Sequence, residues 1–214
     1  MEFYQRYCTI EDYSKGILIL APGYYKSLGE GEDEYSKKSI YFTRGYKVYK
    51  GYNVYEYFKN IFEEIYDTLF ANSTLNFDYI CVIPSHEKGI INQHLIRLAS
   101  DVFGSHGVHY YDPIEKYESN PKFHGRMSMQ EREMHLSNTI RINKDVDGKN
   151  IILFDNVTIT GMSMIKCKDL LLQVGANKVM GISLGLSEYQ MSPRHNFSDN
   201  KIESEKNISE IYRE

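Results

Sequence analysis

The chain has 214 residues, with 25 Lys and Arg against 29 Asp and Glu and a formal net charge of −4. This length fits one domain of roughly 150–200 residues with an extension, and the acidic balance argues against a dedicated nucleic-acid binder, which usually carries a basic stripe. No apolar run approaches the ~18–20 residues that span a bilayer, and the N-terminus lacks the apolar centre of a signal peptide. We therefore expect a cytoplasmic protein with no membrane or nucleic-acid partner.

Cysteine and tyrosine usage set two further expectations. Cys8, Cys81 and Cys167 are widely spaced and form no CxxC pair, so we expect three reduced, buried thiols. The chain has 19 tyrosines and no tryptophan, and many of the tyrosines precede residue 67. Tyrosine suits half-buried amphipathic positions as well as stacking surfaces. The Tyr-rich first third is therefore either an ordinary amphipathic surface or a platform for a base or a partner.

Short apolar runs alternate with segments of helical periodicity along the chain. Apolar runs predict strands, and the spacing i, i+3, i+4 and i+7 predicts helices. The predicted strands are 16–21, 39–43, 77–84, 107–111, 136–142, 149–154 and 178–186, and the predicted helices are 54–69, 90–103 and 161–174. We expect an exposed loop over 28–38 and a long polar loop over 112–136, which is typical of a functional or mobile segment.

This order of strands and helices predicts an α/β fold with a mainly parallel sheet flanked by helices. A nearly all-apolar strand such as 149–154 is typical of a sheet covered on both faces, and Gly175 is the expected left-handed residue after the last helix. We divide the chain into a Tyr-rich N-terminal extension over 1–75, packed on or integrated with the core, a core over 76–186, and a polar C-terminal tail over 187–214. The tail contains one expected short helix near 202–211.

The most informative segment follows strand 149–154, where a carboxylate precedes a short loop with hydroxyl side chains and a helix. Asp155 stands at the carboxyl end of the strand, where open α/β sheets bind ligands, and its oxygens can accept hydrogen bonds from ribose hydroxyls. Thr160 and Ser163 can donate to a phosphate, while Gly161 lets the backbone approach it closely. The alternative is an ordinary strand–turn–helix with a capping threonine or serine. Neither GxxxxGK[ST] nor a GxGxxG after a strand occurs in the sequence.

This segment resembles the signature of the type I phosphoribosyltransferases, which is four hydrophobic residues, two acids, two further residues and Thr-Gly-x-Thr/Ser. In that family the signature binds the ribose 5-phosphate part of phosphoribosyl pyrophosphate (PRPP). The resemblance implies that Asp155 meets the ribose hydroxyls and that the loop after it cradles the 5-phosphate, with Met162 acting through its backbone. The implied ligand-binding residues are Asp155, Asn156, Val157, Thr158, Ile159, Thr160, Gly161, Met162 and Ser163.

Two other segments are similar to parts of the same family, so that the resemblance covers roughly half of the chain. Residues 80–89 are similar to the strand and loop that contact pyrophosphate. The implied pyrophosphate loop is Ser85, His86, Glu87, Lys88 and Gly89. Residues 119–142 are similar to the mobile active-site loop of the competence-protein (ComF) and amidophosphoribosyltransferase-like branch, with Met127, Ser128 and Arg132 in place of its Leu-Ser-x-x-x-Arg run.

The resemblance implies displacement of pyrophosphate at the ribose anomeric carbon by an acceptor that the sequence does not identify. The implied catalytic residues are Asp155, Asn156, Lys88, Arg126 and Arg132. Lys88, a closing Arg126 or Arg132 and Mg²⁺ would neutralise the leaving group. The Mg²⁺ would be held mostly by substrate oxygens and water, so no protein ligand is assigned to it. The family also implies a homodimer.

Three departures from the family leave two other functions open. Asn156 replaces the second acid of the signature, Ile159 stands where some members carry an aspartate base, and this sequence lacks the N-terminal cysteine cluster with which the ComF branch binds zinc. One alternative is a non-catalytic module that senses PRPP or a nucleotide. The other is an unrelated α/β interaction protein whose Tyr-rich first third is its working surface.

Overall fold

A computed structural model of the chain describes residues 2–10, 16–26, 33–119, 134, 138–187, 195–202 and 207–212. The strands are β1 Phe3–Ile10, β2 Ile17–Ala21, β3 Tyr24–Tyr25, β4 Val48–Tyr49, β5 Tyr52–Asn53, β6 Tyr79–Val82, β7 His109–Tyr110, β8 Ile114–Lys116, β9 Ile140–Ile142, β10 Asn150–Thr158, β11 Lys178–Ser187 and β12 His195–Ile202. The helices are α1 Glu34–Thr43, α2 Val54–Ile65, α3 Gln93–Val102, α4 Met162–Gln173 and α5 Ile208–Ile211, with a π-helical turn at Tyr66–Phe70 and a 3-10 turn at Gly104–His106.

The main sheet has the strand order β12-β1-β2-β11-β10-β6-β7, and β3 also pairs with β11. All neighbouring pairs from β2 to β7 are parallel. In contrast, β1 is antiparallel to both β2 and β12. The predicted α/β class with a mainly parallel sheet is therefore confirmed, and antiparallel strands extend it at one side.

Helices cover both faces of this sheet. On one face, α1, α2 and α3 enclose a large buried cluster in which Phe58 and Phe62 lie with Phe154 of β10. On the other face, α4 places Ile165 against Ile19 of β2 in a second buried cluster. The apolar strands are thus buried from both sides, as their composition predicted. None of the helices in the described part of the chain is long and apolar enough to cross a bilayer.

The expected state of the cysteines is confirmed. Cys8, Cys81 and Cys167 are all buried and carry no disulfide. Burial raises the pKa of the Cys8 thiol to about 12 and that of the Cys167 thiol to about 12. All three thiols therefore behave as small apolar side chains rather than as nucleophiles.

Most described tyrosines of the first third pack on the core rather than standing free. The half-buried ones that contact the large cluster are Tyr35, Tyr41, Tyr55, Tyr57 and Tyr66. The exposed ones are Tyr7, Tyr46 and Tyr52, at 45%, 54% and 61% exposure. The amphipathic interpretation of the tyrosines is thus favoured over a continuous stacking platform.

The first helix lies where the sequence predicted an exposed loop followed by a strand at 39–43. α1 begins after Asp33, whose carboxylate accepts a hydrogen bond from the backbone N–H of Ser36 at 2.7 Å. Its buried face consists of Ser36, Ser39 and Phe42, at the helical spacing i, i+3 and i+6. Two of these three positions are polar, so the apolar periodicity that identifies a helix is missing from the sequence.

The central strand β10 is longer than predicted. We expected it to end at Phe154, but it continues through Asp155 to Thr158, which pairs with Leu186 of β11. The extension occurs because β11 is also long, at 10 residues, and pairs with Asp155, Val157 and Thr158. Asp155 is therefore a strand residue, and the turn before α4 is shorter than the expected loop.

The polar tail contributes an edge strand that its composition did not predict. β12 pairs with β1 along its whole length, with Phe3 opposite Ile202. Its pairing comes from backbone hydrogen bonds, which polar side chains do not prevent at a sheet edge. The short helix expected in the tail is α5. The division of the chain at residues 75 and 186 stays a prediction.

Two glycines after helices provide a matched test of the fold. Gly175 follows α4 with a φ of 99°, and a Cβ there would lie 2.3 Å from Oδ1 of Asp147. Gly107 has a φ of 85° with nothing within 4 Å of its Cβ position. Since an L residue in the left-handed region costs roughly 1–2 kcal/mol, we expect Gly107→Ala to lower the free energy of unfolding by about 1 kcal/mol. Gly175→Ala should cost a similar amount, because the close atom is the end of the exposed Asp147 side chain, which can rotate away from the new Cβ. Urea denaturation measures both, and a loss at Gly175 that exceeds the loss at Gly107 by more than about 1 kcal/mol would contradict this expectation.

Candidate functional site

The carboxyl ends of β6 and β10 meet at one edge of the sheet, where they open into a cleft of about 550 Å³. The segment after β6 and the segment at the end of β10, which were both predicted to bind the ligand, reach this cleft. Its polar lining is Thr43 at the end of α1, Ser85 and His86 after β6, Asn92, Gln93 and His94 at the start of α3, and Asp155, Asn156 and Ser163 from β10 and α4. Ile83 and Pro84 add apolar surface. The cleft therefore combines hydroxyl, amide and imidazole groups with one carboxylate.

Asp155 is the half-buried carboxylate of this cleft. Its Oδ1 accepts a hydrogen bond from the backbone N–H of Asn156 at 2.7 Å. Burial raises the pKa of the carboxyl from 3.8 to about 6, and that hydrogen bond lowers it in part. Near neutral pH the group is ionised at a desolvation cost, which is typical of residues kept for binding or chemistry.

Asn156 adds a neutral amide beside this carboxylate. Its Oδ1 accepts a hydrogen bond from the backbone N–H of Val157 at 2.9 Å. An amide can exchange hydrogen bonds with a hydroxyl but adds no charge. The cleft therefore presents one negative group where the phosphoribosyltransferase signature has two.

The turn from β10 to α4 consists of residues 159–161. Gly161 has a φ of 74°, and a Cβ on it would lie 2.7 Å from both Cβ and Sγ of Cys8 in β1. Glycine is required here for its conformation and for its small size. The Thr160 hydroxyl accepts a long hydrogen bond, 3.4 Å, from the backbone N–H of Met162. The N-cap of α4 is Gly161 and the helix has no side-chain capping bond, so Thr160 is not the capping residue of the alternative interpretation. Ser163 in the first turn of α4 lines the cleft.

The loop after β6 is closed by its own hydrogen bonds. The backbone N–H of Ser85 donates to the Ile90 carbonyl at 2.9 Å, and the N–H of Ile90 donates to the Glu87 carbonyl at 3.3 Å. The Ser85 hydroxyl lies 3.3 Å from Nδ1 of His86. Nε2 of His86 lies 3.4 Å from a Glu87 carboxylate oxygen and makes no hydrogen bond. The imidazole thus lines the cleft, while its Nε2 is buried beside the Glu87 carboxylate.

The structure brings together some of the predicted site residues and separates others. Asp155, Asn156, Ser163, Ser85 and His86 share the cleft. The remaining described candidates lie outside its lining, and they are Glu87, Lys88, Gly89, Val157, Thr158, Ile159, Thr160, Gly161 and Met162. Lys88 is exposed, and its backbone N–H donates to the Ser119 hydroxyl at 2.9 Å. Arg126, Met127, Ser128 and Arg132 lie outside the described residues.

Sequence reasoning missed the contribution of α3. Asn92 caps this helix, with Oδ1 accepting from the N–H groups of His94 and Leu95 at 2.9 and 3.3 Å. Its Nδ2 donates to the Thr43 carbonyl at the end of α1, at 3.3 Å. An Asn before an apolar-periodic run is a helix-start signal. We placed the helix start at residue 90, and that earlier start concealed the signal.

The cleft can accept a Mg²⁺ ion only if the ligand and water supply most of its coordinating oxygens. Among the described residues, no group of three or more His, Cys, Asp and Glu side chains is arranged to hold a metal. Mg²⁺ bound through substrate phosphates needs only one or two carboxylates, with water filling the other positions. Asp155, with Asn156 beside it, fits that sparse mode.

The sequence matches no protein-family model and no curated protein. Solved structures resemble parts of the chain. The allosteric regulatory enzyme of purine biosynthesis aligns with 69% of this chain and 30% of its own, with a TM-score of 0.46 and 16% identity. Glutamine PRPP amidotransferase from B. subtilis, complexed with ADP and GMP, aligns over the same shares with a TM-score of 0.44 and 17% identity.

A smaller enzyme also aligns over most of its length. Adenine phosphoribosyltransferase from Leishmania tarentolae aligns with 79% of this chain and 91% of its own, with a TM-score of 0.41 and 10% identity. In contrast, the chain spans only 30% of each of the first two structures. The narrower resemblance to the ComF branch stays a prediction.

The raised pKa of Asp155 makes the stability of the protein depend on pH. The folded-state pKa, about 6, lies above the ordinary value of 3.8. The protonated Asp155 carboxyl therefore gives its full contribution to folding stability below pH 3.8, and this contribution is lost as pH rises through about 6. Asp155→Asn removes the charge and keeps an acceptor for the Asn156 N–H. We expect this variant to be more stable than the wild type at pH 7.5, by about 1–2 kcal/mol after solvent screening.

At pH 4 the same two proteins should unfold at nearly equal urea concentrations, because the folded wild type is then protonated. Urea denaturation at both pH values tests this expectation. A stability difference that does not change between pH 4 and pH 7.5 would show that Asp155 is not held at a desolvation cost.

Proposed function

We propose that this chain is a phosphoribosyltransferase-like protein that binds PRPP or a ribose-phosphate nucleotide at the edge of the sheet where β6 and β10 end. One observation carries the proposal. Asp155 and Ser163, from the segment assigned to ribose 5-phosphate, share one cleft with Ser85 and His86 from the segment assigned to pyrophosphate. A ligand with phosphate groups at both ends of a ribose needs both segments to face the same space.

The proposed roles follow from the chemistry of each group. Asp155 accepts hydrogen bonds from ribose hydroxyls, for which an ionised carboxylate is a strong partner. The turn over residues 159–161 and the first turn of α4, with Ser163, receive the 5-phosphate, where backbone N–H groups and the helix dipole favour an anion. Ser85 and His86, which line the cleft after β6, lie at the pyrophosphate end.

The proposed reaction is a displacement at the anomeric carbon of the ribose. The acceptor forms a bond to that carbon, and the bond from carbon to the pyrophosphate oxygen breaks with its electron pair leaving on pyrophosphate. Positive charge gathers on the ribose ring, as in glycoside hydrolysis. The protein contributes mainly by holding the reactants in line and by stabilising the leaving group.

Cations that neutralise the pyrophosphate belong to the same proposal. Mg²⁺, when bound, supplies positive charge to the leaving group, and Asp155 is the described carboxylate that can face it. Lys88 on the loop after β6 is the described protein cation proposed for this role, joined by Arg126 or Arg132. Because Lys88 is exposed outside the cleft lining, its role requires the side chain to turn towards the ligand. A homodimer and a cytoplasmic location complete the proposal, from the family resemblance and the composition.

A second candidate function is binding without turnover. It is favoured by Asn156, which gives the cleft a neutral amide in place of a second acid, and by Ile159, which is 41% exposed and has no titratable group. Such a protein would sense PRPP or a nucleotide. Release of pyrophosphate in the presence of candidate nucleobases and amines separates the two functions.

The first test is calorimetric titration of the protein with PRPP, with and without Mg²⁺. We expect saturable binding that is stronger with Mg²⁺, and its loss in Asp155→Ala because the ribose acceptor is removed. Asp112→Asn is a matched control. Burial likewise raises the pKa of that half-buried carboxyl, which follows β7 and does not line the cleft. Full affinity in Asp155→Ala would refute the site assignment.

The amide beside this carboxylate supplies a second test. Asn156→Asp restores the second acid of the signature, so we expect PRPP to bind more tightly with Mg²⁺, by about three- to tenfold, through added charge near the metal. Without Mg²⁺ the same variant should bind more weakly, because two carboxylates then face an anionic ligand. Titration under both conditions measures the difference. Weaker binding with Mg²⁺ would show that the amide is adapted to another ligand.

A further inference from the structure

Arg6 in β1 is completely buried behind the turn that joins β10 to α4. Its Nε and Nη2 each donate to one carboxylate oxygen of Asp199 in β12, both at 2.8 Å. Nη1 donates to the carbonyls of Thr158 and Ile159 at 3.4 and 3.1 Å, and Nη2 donates to the Ser187 carbonyl at 2.9 Å. These five bonds match the five N–H donors of a guanidinium group. Arg6 therefore links both outer strands to the ends of β10 and β11.

The two carbonyl contacts at the turn determine the direction of its N–H groups. In a trans peptide the carbonyl and the following N–H point in opposite directions, and the described chain contains no cis peptide bond. Because the carbonyls of Thr158 and Ile159 face Arg6, the N–H groups of Ile159 and Thr160 point away from it. Successive N–H groups turned to one side form a concave surface suited to an anion.

A second residue of β1 fixes the other end of the turn. Cys8 lies two residues after Arg6 and so on the same face of the strand. Its side chain occupies the space that a Cβ on Gly161 would need. The carboxylate of Asp199 is held in turn by the Tyr24 hydroxyl, which donates to Oδ2 at 3.0 Å. The turn is therefore hydrogen-bonded to β1 at one end and packed against it at the other.

We propose that Arg6 is a positioning residue for the phosphate of the ligand: it holds the backbone of Thr158 and Ile159 so that the N–H groups of the turn are oriented before the phosphate arrives. This role rests on the proposed function, in which this turn and the start of α4 receive a ribose 5-phosphate group. Asp199 neutralises the guanidinium, so Arg6 acts through backbone geometry rather than by attracting the phosphate directly.

Three variants separate this role from a general effect on stability. The double variant Arg6→Met, Asp199→Leu removes both charges, because removing one partner alone would leave a buried charge without a counter-ion. Arg6→Lys keeps a cation but supplies fewer donors in a different geometry. Lys116→Met is the matched control. Lys116 is another buried cation, 3% exposed, whose Nζ donates to the Thr139 hydroxyl at 2.6 Å on the β8–β9 hairpin.

The measurement is calorimetric titration with ribose 5-phosphate and with PRPP plus Mg²⁺, on samples whose folding is checked by circular dichroism and thermal unfolding. We expect the double variant to bind ribose 5-phosphate at least tenfold more weakly than the wild type, and Arg6→Lys to lie between the two. Lys116→Met should bind within twofold of the wild type, because Lys116 does not line the cleft. Hydrogen exchange should accelerate over residues 158–163 in the double variant and not in Lys116→Met.

Several outcomes would overturn the positioning role. A folded double variant that binds within twofold of the wild type would overturn this role and would leave the proposed function intact. Equal weakening in the double variant and in Lys116→Met would do so too, since it would reflect stability alone. If the double variant does not fold, Arg6→Lys decides by the same comparison. A wild-type protein that binds neither ligand would refute the proposed function, and the role of Arg6 with it.

Discussion

The parallel pairing of β10 with β6 and with β11 is the constraint on which the candidate site depends. Ile151 lies opposite Tyr79 on one side and opposite Val179 on the other. Because these strands run in one direction, the segments that follow them open at the same edge. The side chains of β10 alternate between two buried layers, so a slip of one residue would move Asp155 to the opposite face. The apolar residues of the strand thus fix the position of the carboxylate.

The elements with long apolar patterns could be predicted from sequence, because burial in the core determines their composition. α2, α3, α4 and the central strands β6, β10 and β11 were all found in this way, with ends that differ by a few residues. α1 could not be found, since Ser36 and Ser39 occupy its buried face. The Ser39 hydroxyl donates to the Tyr35 carbonyl within the helix, and the Ser36 hydroxyl accepts from the Lys26 N–H. β12 could not be found either, because an edge strand obtains its stability from backbone pairing with β1 and needs no apolar pattern.

The same distinction applies to the site. Asp155 and Ser163 are part of a local pattern with fixed spacing, so sequence identified them as candidates. Asn92 and His94 reach the cleft because α3 packs beside β10, and no local pattern records that packing. Arg6 lies even further from the motif in the sequence. Its contacts with Asp199 and Thr158 join residues that are 193 and 152 positions apart. Backbone orientation in the turn therefore depends on a side chain that a motif search over residues 149–163 does not include.

The ion pair between Arg6 of β1 and Asp199 of β12 also sets an order of events during synthesis. Arg6 is synthesised before β10, α4 and β11, and the carboxylate that neutralises it is synthesised after them. Burying a guanidinium without its counter-ion is strongly unfavourable, so β1 is expected to join the sheet late. A nascent chain can assemble the parallel strands while the turn after β10 still lacks its support. The turn would then reach its final backbone orientation only after β12 has been synthesised and has paired with β1.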